Sequence, residues 1–197
     1  MDSLEIIPRS EWGAVDPDIA GSVEGEYDKE KNPGGWFVYN EPLSEVMTTI
    51  VVHHSALPLR DGPLEIQKKH MEIKKFADIG YHYLIDENGK IYEGRNLHVR
   101  GAHTGGYNTG AIGIVLLGNF EETEPSDEQI QNLILLSNCL RKEYKITHIA
   151  GHRDFQPEET VCPGKNLEEM IIGIAKVRGS IPPPTNPTTS EVTVEEL

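Results

Sequence analysis

The segment TTIVVHH, which runs from Thr48 to His54, combines β-branched and apolar residues and ends in two histidines. β-Branched side chains suit the pleated surface of a strand, and an uninterrupted apolar run is typical of a strand that is buried on both faces. The segment therefore predicts a buried central strand. Because successive side chains of a strand point to opposite faces, His53 and His54 are expected to face different sides of the sheet.

Helix and strand signals alternate after this segment. Pro63 stands at a first-turn position and predicts a helix as far as Phe76, in which Ile66, Lys69/His70, Ile73 and Phe76 recur at near-helical spacing and form one face. YHYLID (81–86) and KIYEG (90–94), joined by Asn-Gly, predict a hairpin, and AIGIVLLGNF (111–120) predicts another apolar strand.

The C-terminal half continues the alternation. Ser126 and Gln129 form the pattern of a capping box and predict a long helix to about Tyr144. ITHIAG (146–151) predicts a short strand, and NLEEMIIGIAKV (166–177) predicts a closing amphipathic helix. Strands that alternate with helices, plus one hairpin, indicate an α/β fold with a mixed central β-sheet flanked by helices.

Two segments lack a regular pattern. Asp16 to Gly35 is acidic and rich in glycine, and predicts an irregular surface excursion before the sheet begins. From Ile181 onward the chain is rich in Pro and Thr and ends in acidic residues, a composition that cannot bury enough apolar surface to fold alone. We therefore predict one domain over residues 1–180 and a tail or linker over residues 181–197.

The charge of the chain limits its partners. The 197 residues carry a formal net charge of −14, which argues against nucleic acid because binding phosphates needs a cationic surface. No run of about 18 apolar residues occurs, so we expect no membrane-spanning segment. The N-terminal residues lack the basic segment and apolar core of a secretory signal, so the export route cannot be predicted from this sequence.

The two cysteines stand in contrasting surroundings. Cys139 belongs to the apolar run LILLSNCL and is predicted to be a small buried side chain, whereas Cys162 follows polar residues and precedes Pro-Gly. These contexts argue against a disulfide bond between them.

Three side chains form a candidate metal site. His53 ends the predicted central strand, His152 directly follows another strand, and Cys162 lies in the next loop. Imidazole nitrogen and thiolate sulfur suit zinc, and three protein ligands leave the fourth tetrahedral position open, as in a catalytic site. A strand histidine is nevertheless more often a hydrogen-bonded core residue than a ligand, and the residues alone leave both interpretations open.

Six motifs in a fixed order suggest a family. They are IVVHHSA (50–56), GYHYLID (80–86), GKIYEGR (89–95), GAHTGGYN (101–108), AIGIVLLGNF (111–120) and GHRDFQPEETVCPG (151–164). Together they resemble the family of peptidoglycan recognition proteins and type 2 N-acetylmuramoyl-L-alanine amidases, which includes phage lysozymes of the amidase kind. The resemblance implies that His53, His152 and Cys162 bind Zn²⁺. Relatives that bind wall fragments without cleaving them typically lack the cysteine, so its presence favours an enzyme.

The resemblance also assigns roles to four further residues. Tyr81 matches the catalytic tyrosine, and Thr160 matches a position where relatives carry Thr or Lys and where a hydroxyl can donate to the tetrahedral intermediate. His103 and Asn108 match positions that line the substrate groove. Without the resemblance, a tyrosine packed on the sheet, a threonine in a turn and a Gly-rich loop would explain these residues equally well.

The implied function is hydrolysis of the amide bond between the muramyl lactyl group and L-alanine of the stem peptide, at the cell envelope or outside the cell. Peptidoglycan or muropeptides are the expected partners, and we expect a monomer. Two alternatives stay open: a non-catalytic receptor for peptidoglycan fragments on the same fold, and a protein that regulates another enzyme.

Overall fold

The computed structural model describes residues 4–177 and contains one six-stranded sheet. Its strands are Ile6–Ile7 (β1), Thr49–His54 (β2), Tyr83–Ile85 (β3), Ile91–Glu93 (β4), Ala111–Leu116 (β5) and His148–Gly151 (β6). The strand order is β1-β4-β3-β5-β2-β6. Only the hairpin of β3 and β4 is antiparallel, and every other pair is parallel. The predicted mixed α/β sheet is confirmed.

The strand β2 lies between β5 and β6, and all six of its residues are buried. Ile50 and Val52 belong to the large apolar cluster on one face of the sheet, whereas Val51 packs in a separate cluster with Ala150. His54 faces the side of Ile50, Val52 and Phe120, as strand alternation predicts, and its Nδ1 accepts the backbone N–H of Phe120 at 3.2 Å. His53 therefore faces the other side of the sheet, together with Val51.

In the described part of the chain, four α-helices accompany the sheet: Leu43–Val46 (α1), Pro63–Lys68 (α2), Asp127–Glu143 (α3) and Lys165–Val177 (α4). The helix predicted from Pro63 is confirmed, but α2 continues as a π-helical turn over Lys69–Ile73 and ends there. The predicted apolar face is wrong at its end, because Ile73 is 71% exposed while His70 is buried. A π turn holds an extra residue, which rotates the residues after it away from α-helical spacing.

The capping box of α3 is confirmed. Ser126 Oγ accepts the N–H of Gln129 at 3.0 Å, and Gln129 Oε1 accepts the N–H of Ser126 at 3.1 Å. Leu133, Leu136 and Leu140 pack against the sheet. The prediction that Cys139 is buried was wrong: it is exposed, because each helical position is turned by about 100° from the last and Leu140 occupies the buried direction. Neither cysteine forms a disulfide bond.

The segment before α1 has a buried anchor. Its backbone is largely irregular, with isolated bridges such as Glu26 to Trp36, as the sequence predicts. It is not wholly a surface excursion, however, because Glu24 Oε1 lies 2.8 Å from Arg95 Nη2 and these side chains are 6% and 1% exposed. The anchor ties the segment to the loop after β4.

The predicted tail of residues 181–197 lies outside the described residues, so the domain boundary stays a prediction. Within residues 4–177, no helix has the length and apolar character needed to cross a membrane.

Candidate metal centre and adjoining groove

Two parallel strands bring His53 and His152 together. β2 pairs with β6 so that Val52 lies opposite Gly151, and each histidine is the next residue of its own segment. The imidazole ring centroids are 4.7 Å apart. Carboxyl ends of parallel strands meet at one edge of a sheet, which is where α/β proteins commonly place their ligand sites. The sheet register therefore sets the spacing of the two histidines.

The loop after β6 returns Cys162 to the same place. The backbone N–H of Arg153, the neighbour of His152, donates to the carbonyl of Cys162 at 2.8 Å, and Cys162 Sγ lies 3.5 Å from His53 Nδ1. Gly151 permits this approach, because a Cβ there would lie only 2.8 Å from Pro163 Cδ. The thiol is thereby buried beside the two rings.

The three side chains fit a zinc ion. Their ligand atoms all lie within 4.8 Å of one another. On one tetrahedral zinc, a histidine nitrogen and a cysteine sulfur would be separated by roughly 3.5 Å, which matches the separation of His53 Nδ1 and Cys162 Sγ. A set of two nitrogens and one sulfur suits this metal and leaves one coordination position for water or substrate.

Burial controls the protonation of these groups. It lowers the pKa of His53 well below 6.5, with further lowering by His103 and His152, and it also lowers the pKa of His152. Both rings are therefore neutral near pH 7, as metal ligands must be. Burial raises the pKa of the Cys162 thiol to about 12, so a bound cation would have to displace its proton.

Behind His53 lies a second histidine. His53 Nε2 is 3.1 Å from His103 Nδ1 and 3.4 Å from Thr104 Oγ1. Asn108 Oδ1 accepts the backbone N–H groups of His103 and Thr104 at 2.9 and 2.8 Å, which shapes this loop. His103 thus contacts the cluster through His53. Asn108 does not contact the cluster by these bonds but shapes the loop that carries His103. Their predicted role in binding substrate stays a prediction.

His152 has an outer partner that the sequence motifs did not single out. Its Nε2 lies 2.8 Å from Gln156 Oε1, and Gln156 Nε2 donates to Glu159 Oε2 at 2.7 Å. Gln156 follows His152 by four residues, and a 3-10 turn over His152–Asp154 brings the two side chains to the same side. Side chains four residues apart are neighbours in a helical turn, but no helix was predicted here, so the contact was not foreseen.

Tyr81 and Thr160 also adjoin the cluster. The ring centroid of Tyr81 is 5.1 Å from that of His53, and burial, followed by the nearby Cys162, raises the pKa of its hydroxyl above 10.0. Thr160 Oγ1 accepts the backbone N–H of Cys162 at 3.1 Å, so the hydroxyl proton of Thr160 is free for another acceptor. The structure thus places both predicted catalytic residues beside the candidate ligands.

A groove of about 380 Å³ lies beside His103, the residue that contacts His53. His103 and Asn108 line one part of it, Lys74 and Phe76 another, and Glu24 belongs to the anchored N-terminal segment that forms the remaining wall. Lys74 also borders a smaller cavity of about 120 Å³ next to Tyr81. The groove thus combines cationic, aromatic and amide groups next to the candidate ligands.

Comparison with known proteins adds independent information. The chain matches the sequence profile described as N-acetylmuramoyl-L-alanine amidase over residues 43–165. It is 32% identical to peptidoglycan-recognition protein SD of Drosophila melanogaster over 178 residues, which cover 85% of this chain and 84% of that protein.

Solved structures show the same similarity. The amidase LysC from Clostridium intestinale aligns with a TM-score of 0.62 at 32% identity, covering 74% of this chain and 95% of that one. Drosophila PGRP-LB in complex with tracheal cytotoxin, solved as a mutant, aligns with a TM-score of 0.64 at 27% identity, covering 84% and 93%.

Proposed function

The chain belongs to the N-acetylmuramoyl-L-alanine amidase family, together with peptidoglycan recognition proteins, and from this premise we propose that it is a zinc-dependent amidase. It hydrolyses the amide bond between the muramyl lactyl group and L-alanine of the stem peptide. Its place of action is the cell envelope or the outside of the cell.

One observation carries the proposal: His53, His152 and Cys162 converge with their ligand atoms within 4.8 Å. A receptor needs a groove but no such cluster, because binding a wall fragment requires only hydrogen bonds and apolar contacts. These three residues would hold the ion, and three protein ligands would leave one coordination position for water or substrate. Zinc bound there would supply Lewis acidity to the substrate carbonyl and lower the pKa of an attacking water.

Tyr81 acts as a hydrogen-bond donor to the developing oxyanion. Burial raises its pKa above 10.0, so the phenol keeps its proton near pH 7 and can donate but not act as a base. Thr160 supplies a second donor, since its oxygen is already engaged by the N–H of Cys162 and its proton is free. Donors that are already positioned stabilise the charge of the transition state without reorganisation.

The groove binds the muramyl group and the stem peptide. His103 and Asn108 are among its polar lining residues, and Phe76 adds an aromatic surface. Lys74 contributes a cation that can pair with the carboxylates of the peptide. PGRP-LB, a relative of similar fold, has been solved with tracheal cytotoxin, which supports a muropeptide or peptidoglycan as the ligand of this chain.

A receptor for peptidoglycan fragments is the second candidate function. The similarity to peptidoglycan-recognition protein SD favours it, as does the groove itself. The two candidates differ in their need for the cluster. A receptor that lost Cys162 would bind fragments equally well, whereas an amidase that lost Cys162 would no longer hydrolyse them.

The test is to incubate the protein with purified sacculi and with soluble muropeptides, with and without a chelator, and to identify products by mass. An amidase releases free stem peptides and glycan that keeps its lactyl groups, and it stops when zinc is removed. Binding without any product in the zinc-loaded protein would favour the receptor.

A further inference from the structure

The loop after β6 contains a chain of hydrogen bonds that has no place in the proposed chemistry. It runs from Glu159 through Gln156 to His152, with separations of 2.7 and 2.8 Å between the bonded atoms. Glu159 is exposed and Gln156 is half-buried. Neither residue is a ligand of the candidate metal site, so their effect on the site must pass through His152.

The direction of each bond follows from the chemistry of the groups. A carboxylate can only accept, so the amide nitrogen of Gln156 is the atom that faces Glu159. The amide oxygen of Gln156 therefore faces His152 Nε2, and an amide oxygen can only accept. It follows that the proton of the neutral His152 ring sits on Nε2, which leaves the lone pair on Nδ1.

We propose that Gln156 and Glu159 are positioning residues that hold His152 in the tautomer protonated on Nε2, so that Nδ1 keeps the lone pair that a metal ion would take. The inference rests on the proposed function, because His152 is taken as a metal ligand. Outer partners of metal-binding histidines fix the ring orientation and tautomer, and their loss commonly lowers metal affinity or activity by about 10- to 100-fold.

Each residue has a separate task. Gln156 supplies the acceptor that the ring needs. Glu159 decides which way the amide points: without the carboxylate, the amide of Gln156 could rotate and present its NH₂ group to His152, which would favour a proton on Nδ1 and block the ligand atom. A glutamate at position 156 would accept from His152 without any help from Glu159.

The decisive comparison is between Gln156→Leu, which removes the acceptor, and Gln156→Glu, which keeps it. Zinc affinity is measured by competition with a chromophoric chelator. We expect Gln156→Leu to bind zinc about 10- to 100-fold more weakly than the unaltered protein and Gln156→Glu to bind at least as tightly. Glu159→Ala should weaken binding by a smaller factor, and Glu158→Ala, which removes a neighbouring exposed carboxylate, serves as the control.

A second readout does not depend on zinc. In the metal-free protein labelled with ¹⁵N-histidine, NMR reports which ring nitrogen carries the proton. We expect His152 to be protonated on Nε2 in the unaltered protein and in Gln156→Glu, and to lose this preference in Gln156→Leu.

Two results would overturn the inference: equal zinc affinity in Gln156→Leu and the unaltered protein, or a His152 ring protonated on Nδ1. They differ from failure of the proposed function. If the proposed function failed instead, the unaltered protein would bind no stoichiometric zinc, while His152 would still carry its proton on Nε2.

Discussion

His53 Nδ1 and Cys162 Sγ lie 3.5 Å apart although 109 positions separate the two residues in the chain. The histidine is the last residue but one of a central strand, and the cysteine is held by a backbone contact to the turn that follows a neighbouring strand. Neither residue lines the groove beside His103, so the proposed metal binding and the proposed fragment binding would depend on different side chains.

Replacing Cys162 should separate these two properties. We expect Cys162→Ser to lose hydrolysis and most of its zinc affinity, because a serine hydroxyl does not replace a thiolate ligand. Binding of muropeptides should stay within a few-fold, as measured by calorimetry. Cys139→Ser is the matched control, since Cys139 is exposed on α3 and should leave activity unchanged. Turnover near that of the unaltered protein in Cys162→Ser would show that Cys162 is not a ligand.

Removing the hydroxyl of Tyr81 should affect turnover more than binding. We expect Tyr81→Phe to lower kcat by roughly 10- to 1,000-fold with little change in KM, because the lost donor serves the transition state. The ring keeps its packing, so zinc content and Tm should be unchanged. Tyr27→Phe, at a partly exposed loop position, is the control. Loss of zinc in Tyr81→Phe would assign this residue to assembly of the site instead.

The buried ion pair of Glu24 and Arg95 should be important for stability. Arg95→Ala leaves a carboxylate that is 6% exposed without its cation, and we expect a loss of about 3–5 kcal/mol in the free energy of unfolding by urea. Arg60→Ala, which removes a guanidinium that is 86% exposed, should change stability by less than about 0.5 kcal/mol. A loss below about 1 kcal/mol in Arg95→Ala would mean that water or another cation compensates the carboxylate.

Stability should fall in mild acid because of His82. Its Nδ1 accepts the N–H of Gly113 at 3.0 Å, and burial lowers its pKa from 6.5 to about 4. The unfolded chain therefore binds more protons than the folded chain between these values, so stability is complete above pH 6.5 and decreases as the pH falls toward 4. His82 alone should contribute a loss of about 1.5 kcal/mol between pH 6.5 and 5.

Urea unfolding at several pH values checks this dependence. His82→Gln should be less stable at pH 7 but should show a shallower decrease in acid, whereas His98→Gln, at an exposed position, should follow the unaltered protein. An unchanged slope in His82→Gln would assign the acid sensitivity to other groups, such as the buried His70.

Most elements of the fold follow from local patterns. The apolar run at β2, the Asn-Gly turn of the hairpin and the capping box at Ser126 each report on interactions within a few residues, and all three are found. Two expectations failed where the pattern was not local. The exposure of Ile73 depends on a π turn, and that of Cys139 on which side of α3 meets the sheet.

The α/β class, the family and the identity of the three candidate ligands could be predicted from the amino-acid order, because strand periodicity and ordered motifs are properties of neighbouring residues. The meeting of His53, His152 and Cys162 became visible in the folded chain alone, since the pairing of β2 with β6 and the return of the last loop create that distance. The same is true of the outer contacts of His103 and Gln156, and of the burial of Glu24 against Arg95. Hydrogen bonds between side chains far apart in sequence, or on a single short turn such as that after β6, depend on backbone conformation and leave no periodic signal.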